Sequence, residues 1–266
     1  TTEIYTLSLH DALPIYLIGL DFFSPAYEKA FKQWLKRVFD KFNELGISTE
    51  KLVVCPYDES TDKRAAMIAR WIKEVNPKAR VLIDCSSDNL DEIRELDKYT
   101  DIWMPHVRTL SQEGFKGFYD YLDRSGKVVM TYYYSSGNNE KLKSPFRDYA
   151  LNFWICYVRN LRGLGYWASG QYYGDPWYRK SFTGSYDTAM MYPTEHGVLP
   201  ARRLLGWRRG IQDFQLLKLA EQKLKASGDQ AGIKTLREHA AQVVANPGDA
   251  ALADQVRDEC RTIVKR

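Results

Sequence analysis

Short apolar runs alternate with amphipathic helices along most of this chain, an order that few architectures other than a helix-covered parallel sheet accept. Tyr16–Phe23 reads as a strand, with Ser24 as a helix cap behind it and Pro25 at the first helical position. Phe31, Trp34, Leu35, Val38, Phe39, Phe42 and Leu45 then recur at three- and four-residue steps, and Gly46 stops the helix. Leu52-Val-Val-Cys55 is apolar on both faces, as a covered parallel strand must be. Ser60 can cap the next helix, whose stripe is Met67, Ile68, Trp71, Ile72 and Val75 and which must end near Pro77. The unit recurs as Arg80–Cys85 before Leu90–Leu96, and as Asp101–Met104 before Phe115–Leu122. Lys127–Tyr134 leads through the Ser135–Asn139 loop to a helix bearing Phe146, Tyr149, Phe153, Tyr157 and Leu161, and Gly163–Ser169 is the last strand. With right-handed crossovers, about six such strands curl into most of a (β/α)8 TIM barrel, an α/β fold truncated at its amino end. Two strands are expected to be missing there, which would leave unpaired sheet edges.

The flanks read differently. Leu7-Ser-Leu-His-Asp-Ala-Leu-Pro-Ile15 looks like translated sequencing-adapter read-through at the end of a metagenomic fragment, so residues 1–15 are set aside from the fold. Gly170–Asp187 is too long and too aromatic for a plain connector and is expected to overhang a site. A helix from about Pro200 carries Leu204, Leu205, Trp207, Ile211, Phe214, Leu217 and Leu224. Within it Arg209 and Asp213 form an i,i+4 pair, and Gly210 permits close packing. Asn246-Pro-Gly-Asp249 divides the tail into two amphipathic helices, a C-terminal extension.

Composition narrows the partners. The 38 basic and 34 acidic residues nearly balance at a net charge of +4, with no Lys/Arg run of the kind that binds nucleic acid. No stretch is long and apolar enough to span a membrane. Cys55, Cys85, Cys156 and Cys260 lack zinc or disulfide spacing and are expected to be buried free thiols, so neither metal nor cofactor is expected. Seven Trp and 18 Tyr, many of them in loops, favour a surface that stacks on sugars.

The chemistry is expected where β-strand Leu52–Cys55 ends, at Pro56-Tyr57-Asp58-Glu59. In α/β barrels the carboxyl ends of the strands face the active site, so adjacent carboxylates there can act on a substrate. A solvated strand-to-helix turn is the structural alternative for the pair.

Three stretches carry a resemblance: Pro56-Tyr57-Asp58-Glu59; Gly163-Leu-Gly-Tyr-Trp167; and Tyr192-Pro193 with Pro200-Ala-Arg-Arg203 and Trp207-Arg-Arg-Gly-Ile-Gln-Asp-Phe214. Over residues 16–226 the chain resembles the catalytic region of glycoside hydrolase family 123 and the related domain-of-unknown-function family 4091. Ser60 stands where the family often has Pro, and Gln212 where its helix commonly has Glu. The resemblance implies a partial barrel catalytic domain over 16–228, a helical hairpin over 229–266, and an extracytoplasmic location. It further implies a retaining β-N-acetylgalactosaminidase in which the substrate's acetamido group is the nucleophile. Glu59 would be the general acid/base and Asp58 the residue that polarises the acetamide, on a glycan with a terminal N-acetylhexosamine. Because the nucleophile comes from the sugar, no second carboxylate is needed across the ring, which makes sense of two adjacent ones. Trp167 would be the stacking floor, its alternative being a core Trp. Tyr132 and Tyr134 share a strand face and can reach the acetamide, while Tyr133 faces the other way. His106 and Asp21, also at strand ends, are candidates for sugar hydroxyls. Two other functions stay open: a non-catalytic carbohydrate-binding barrel, and a retaining glycosidase with a protein nucleophile, Asp21 or Asp84.

Overall fold

The computed structural model describes residues 5–8, 20–21, 24–134, 144–167 and 189–265, with the backbone alone at 5–8, 134 and 167. The chain folds as two compact units, Thr1–Thr131 and Tyr132–Arg266.

The first unit alternates strand and helix. Its elements are β1 (Tyr5–Ser8), α1 (Pro25–Glu44), β2 (Leu52–Cys55), α2 (Lys63–Val75), β3 (Arg80–Ile83), α3 (Leu90–Asp97), β4 (Ile102–Trp103), α4 (Lys116–Ser125) and β5 (Val128–Val129). The five strands form one sheet in the order β1-β2-β3-β4-β5, every neighbour parallel. Sequential order with a helix between successive strands from β2 onward is the product of repeated βαβ crossovers. Strand alternation sorts the side chains: Leu52, Val54, Val81, Ile83 and Trp103 pack with Phe31, Leu35, Ile68, Trp71, Leu96 and Phe118 of the helices. Val53, Cys55, Leu82 and Ile102 gather instead in a smaller cluster with Met104 and Met130. The first cluster is the main core, and each fully buried Leu, Ile or Phe in it stabilises the fold by roughly 1.5–3 kcal/mol.

The local punctuation is chemical. The Ser24 side chain accepts the Tyr27 N–H with Pro25 opening α1, and Gly46 takes φ 75° just beyond its end, a conformation that a side chain resists. Leu45, expected in the apolar stripe, is instead 64% exposed at that end. For α2 the cap is Asp62, whose carboxylate accepts from the Arg64 and Ala65 N–H groups; Ser60 Oγ accepts the N–H of Asp62. The expected strand Tyr16–Phe23 lies mostly outside the described residues, and Leu20 and Asp21 are in neither helix nor strand. Tyr5–Ser8, within the segment set aside above, takes the place beside β2.

The second unit contains β6 (Thr131–Tyr134), which begins at the last residue of the first unit, a wide π-type turn at Pro145–Ala150 running into α5 (Leu151–Val158), and β7 (Leu164–Trp167). It continues with β8 (Met191–Thr194), β9 (Gly197–Pro200), α6 (Arg202–Ala226), α7 (Gln230–Ala245) and α8 (Ala250–Lys265). The apolar run Lys127–Tyr134 is thus two strands: β5 ends the five-stranded sheet, and β6 pairs with β7. β8 and β9 form an antiparallel hairpin about a two-residue turn, Glu195-His196. The stripe expected on α6 holds at Leu217 and Leu224 but is rotated in the amino-terminal half. The buried face is Arg203, Gly206, Gly210, Asp213, Leu217, Ala220 and Leu224, whereas Leu205 and Ile211 are exposed. The glycines explain it: a Cβ at Gly206 would lie 2.2 Å from the Pro145 carbonyl oxygen, and one at Gly210 2.3 Å from Phe153 Cδ2. At these glycines α6 therefore meets the backbone of the π turn, at Pro145 and Ala150, and the Phe153 ring of α5, an approach that larger apolar residues would prevent. α7 and α8 complete a core of Leu151, Trp154, Tyr157, Leu217, Leu236, Val243 and Val256.

Candidate active site

In a parallel sheet every strand delivers its carboxyl end to the same edge, so the segments after β2, β3 and β4 open side by side. The segment after β2 begins with Pro56 and turns at Asp58-Glu59, the side chains of both carboxylates being exposed. Beneath them the Cys55 thiol donates to the Tyr57 carbonyl at 3.7 Å, tying the strand end to the turn. Glu59 has φ 46°, the left-handed region that costs a non-glycine residue about 1 kcal/mol or more. Something must hold it there.

The holder is Asp84, the residue that follows β3. Its Oδ1 accepts the Glu59 backbone N–H at 3.1 Å. Its carboxyl also lies within electrostatic reach of that of Asp58. Burial, followed by the neighbouring Asp58 carboxylate, pushes Asp84 up to about 6, although the Glu59 N–H pulls the other way. Asp84 therefore takes up its proton at a higher pH than an ordinary aspartate. The same cluster surrounds two thiols: burial first, then the charges of Asp84, Glu59 and Asp58, push Cys85 up to about 11, and burial with Asp84 and Asp58 raises Cys55 further. Both stay protonated and unreactive at neutral pH.

Asp84 couples this site to stability. Its folded value lies above the roughly 3.9 of an unfolded aspartate, so its contribution favours the native state below pH 4 and is lost as pH rises through about 6. Asp84→Asn should therefore raise the unfolding free energy by about 2 kcal/mol above pH 6.5 and change little near pH 4. Denaturant midpoints measured across pH 4–7 check it.

The other side chains of the turn are engaged. Arg64 grips Asp62 through two bonds, at 2.8 and 2.6 Å, and lies 4.9 Å over the Tyr57 ring. His106 follows β4 on the same edge, half-buried, and opens the short 3-10 turn Val107–Ser111. Its Nδ1 accepts the Arg108 N–H at 3.0 Å, so the neutral ring carries its proton on Nε2, the tautomer that donates to a hydroxyl. Asp21 is exposed, and its carbonyl receives the Ser24 N–H and Oγ–H ahead of α1.

Tyr132, Tyr134 and Trp167 belong to the second unit, on the paired strands β6 and β7. Tyr133 is the core residue of its strand, 5.9 Å from the Tyr149 ring and 6.1 Å from that of Tyr166, while Tyr132 is half-buried. The side chains of Tyr134 and Trp167 lie outside the described residues, as does the aromatic loop Gly170–Asp187. Arg209 and Asp213 pair as expected, at 3.4 Å, and Asp213 also meets Arg257 at 2.7 Å and the Trp154 Nε1–H at 3.0 Å. That network is buried structure rather than chemistry.

Among the described residues, no group of three or more His, Cys, Asp or Glu side chains could hold a metal ion. Asp84 is the residue whose place in the cluster the sequence left open. Its signal was the run Val-Leu-Ile-Asp, a carboxylate at the end of an apolar strand, the same pattern that marks Asp58 and Glu59. No described helix is long and apolar enough to cross a membrane. Residues 11–220 match the family described as glycoside hydrolase 123, catalytic domain. No curated protein matches the chain.

Proposed function

Since the chain belongs to the glycoside hydrolase 123 catalytic-domain family, and is accordingly a glycoside hydrolase with a carbohydrate substrate, we propose that it cleaves terminal β-linked 2-acetamido sugars with retention, the acetamido group being the nucleophile. The observation that carries this is the Asp58-Glu59 turn, two adjacent exposed carboxylates at the carboxyl end of a parallel strand. Ordinary retaining enzymes set two carboxyl groups about 5 Å apart, one on each side of the scissile bond. Neighbouring side chains on one turn suit a different division of labour. Glu59 protonates the leaving oxygen and afterwards takes a proton from water. Asp58 accepts the acetamide N–H, turns the carbonyl oxygen toward the anomeric carbon and stabilises the positive oxazolinium that forms. Nε2 of His106 suits a sugar hydroxyl, Asp21 is a further candidate for one, and Tyr132, Tyr134 and Trp167 are proposed for the acetamide and the ring face.

The barrel belongs to the same proposal. Five consecutive parallel strands in sequential order are what a (β/α)8 barrel uses, and the site lies at the edge where such barrels work. A glycan substrate of this kind goes with a secreted or periplasmic location.

The first test is turnover of aryl β-N-acetylgalactosaminide and β-N-acetylglucosaminide. Steady release of the phenol with the β-configured sugar as first product is expected. Binding of the sugar without cleavage would make the protein a carbohydrate-binding barrel instead.

A further inference from the structure

Glu59 occupies a backbone conformation that its side chain disfavours, and its N–H is fixed by a carboxylate from the next strand, 25 residues away in sequence. The same carboxyl lies within electrostatic reach of Asp58. One residue thus fixes the backbone of the turn that carries both members of the pair, and both members stay exposed. A general acid and an acetamide-orienting carboxylate work only while their relative geometry holds, and a displacement of about 1 Å can cost on the order of 100-fold in rate.

We propose that Asp84 is a positioning residue for the Asp58-Glu59 pair: from the end of β3 it clamps their turn through the Glu59 N–H, and does not itself react. The role rests on the reaction proposed above. It is distinct from that of a protein nucleophile, because a carboxyl spent on the Glu59 backbone N–H holds the turn and does not attack an anomeric carbon. What the clamp needs is an acceptor for the Glu59 N–H, and asparagine supplies one through Oδ1.

The experiment compares wild type, Asp84→Asn and Asp84→Ala at pH 5, with two readouts: kcat and KM on an aryl β-2-acetamido glycoside, and hydrogen exchange at the Glu59 amide. For Asp84→Ala, kcat should fall about 100-fold while KM stays within about threefold, and the Glu59 amide should lose its protection. Asp84→Asn should keep that protection and lie within about fivefold of wild type in kcat, about 1 kcal/mol being the usual scale of one altered hydrogen bond. Equal inactivity of the two variants with the Glu59 amide still protected would make Asp84 a reacting group and overturn the proposal. Near-wild-type kcat in Asp84→Ala would overturn it as well. If the wild type cleaves no 2-acetamido glycoside, the proposed reaction fails separately. The clamp is then decided by exchange alone: it stands if Asp84→Ala frees the Glu59 amide and Asp84→Asn does not, and falls if the wild type and Asp84→Ala exchange alike.

Discussion

Glu59→Gln is expected to lower kcat/KM by about 1,000-fold or more on a natural glycan or an alkyl glycoside, and far less on a nitrophenyl glycoside. The side chain keeps its shape and loses only the proton, and a nitrophenolate leaves without one. Asp58→Asn should behave differently, slowing both classes by roughly 100- to 1,000-fold, because the positive charge of an oxazolinium develops whatever the leaving group. Leaving-group dependence therefore separates the two carboxylates more sharply than the size of either loss. A Brønsted plot over a series of substituted phenols is the measurement. Parallel lines for the wild type and Glu59→Gln would remove Glu59 from the role of acid.

The second large effect concerns stability. Asp213→Ala should lower the unfolding free energy by about 3–5 kcal/mol, the range for removing one partner of a buried ion pair. Asp213 is fully buried and meets Arg257 at 2.7 Å, Arg209 at 3.4 Å and the Trp154 Nε1–H at 3.0 Å. Its removal leaves the half-buried Arg257 guanidinium facing Asp254 at 3.9 Å and the Trp154 indole N–H without its acceptor, and deletes the small side chain around which α5, α6 and α8 meet. Burial holds the Asp213 carboxyl above its ordinary value against the pull of Arg257, so its ionisation already opposes desolvation in the native protein. Urea unfolding followed by tryptophan fluorescence checks this. A change below 1 kcal/mol would mean that water reaches the pair.

Why some of this structure was legible and some was not is itself physical. β2, β3, β4 and the helices behind them were readable because each stripe keeps one period and faces one core: Ile68, Trp71 and Ile72 are buried where the 3.6-residue repeat puts them. The expected stripe on α6 held at Leu217 and Leu224 but failed in the amino-terminal half, where the contact face is built from Arg203, Gly206, Gly210 and Asp213, residues that a hydrophobicity pattern counts as outward. Close backbone approach needs a missing side chain, and absence carries no hydrophobic signal. The run Lys127–Tyr134 looked like one strand because nothing local marks Met130 as the place where chain partners change; there the Met130 N–H bonds the Trp103 carbonyl at 2.7 Å, and Thr131 Oγ bonds that of Pro105. Ser60 and Asp62 are both competent caps two residues apart, and which one opens α2 is settled by the turn before them. The β8–β9 hairpin was hidden by Pro193, although Thr-Glu-His-Gly at its tip is a turn signal.

At the site the same division holds. A carboxylate at the end of an apolar strand is a local pattern, so Asp58, Glu59 and even Asp84 could be named from sequence. The left-handed turn at Glu59 and the bond that secures it could not, because they join residues from different strands.

The central claim is that the sugar's own acetamido oxygen attacks the anomeric carbon, and it is tested most directly by fluorinating that group. Aryl glycosides bearing N-acetyl, N-fluoroacetyl, N-difluoroacetyl and N-trifluoroacetyl groups differ little in size but progressively in the nucleophilicity of the carbonyl oxygen. If the acetamide is the nucleophile, log kcat/KM falls steadily along the series, by about 100-fold or more overall, because that oxygen carries charge into the transition state. A flat series, or a glycosyl ester trapped on an aspartate, would put the nucleophile on the protein and contradict the account.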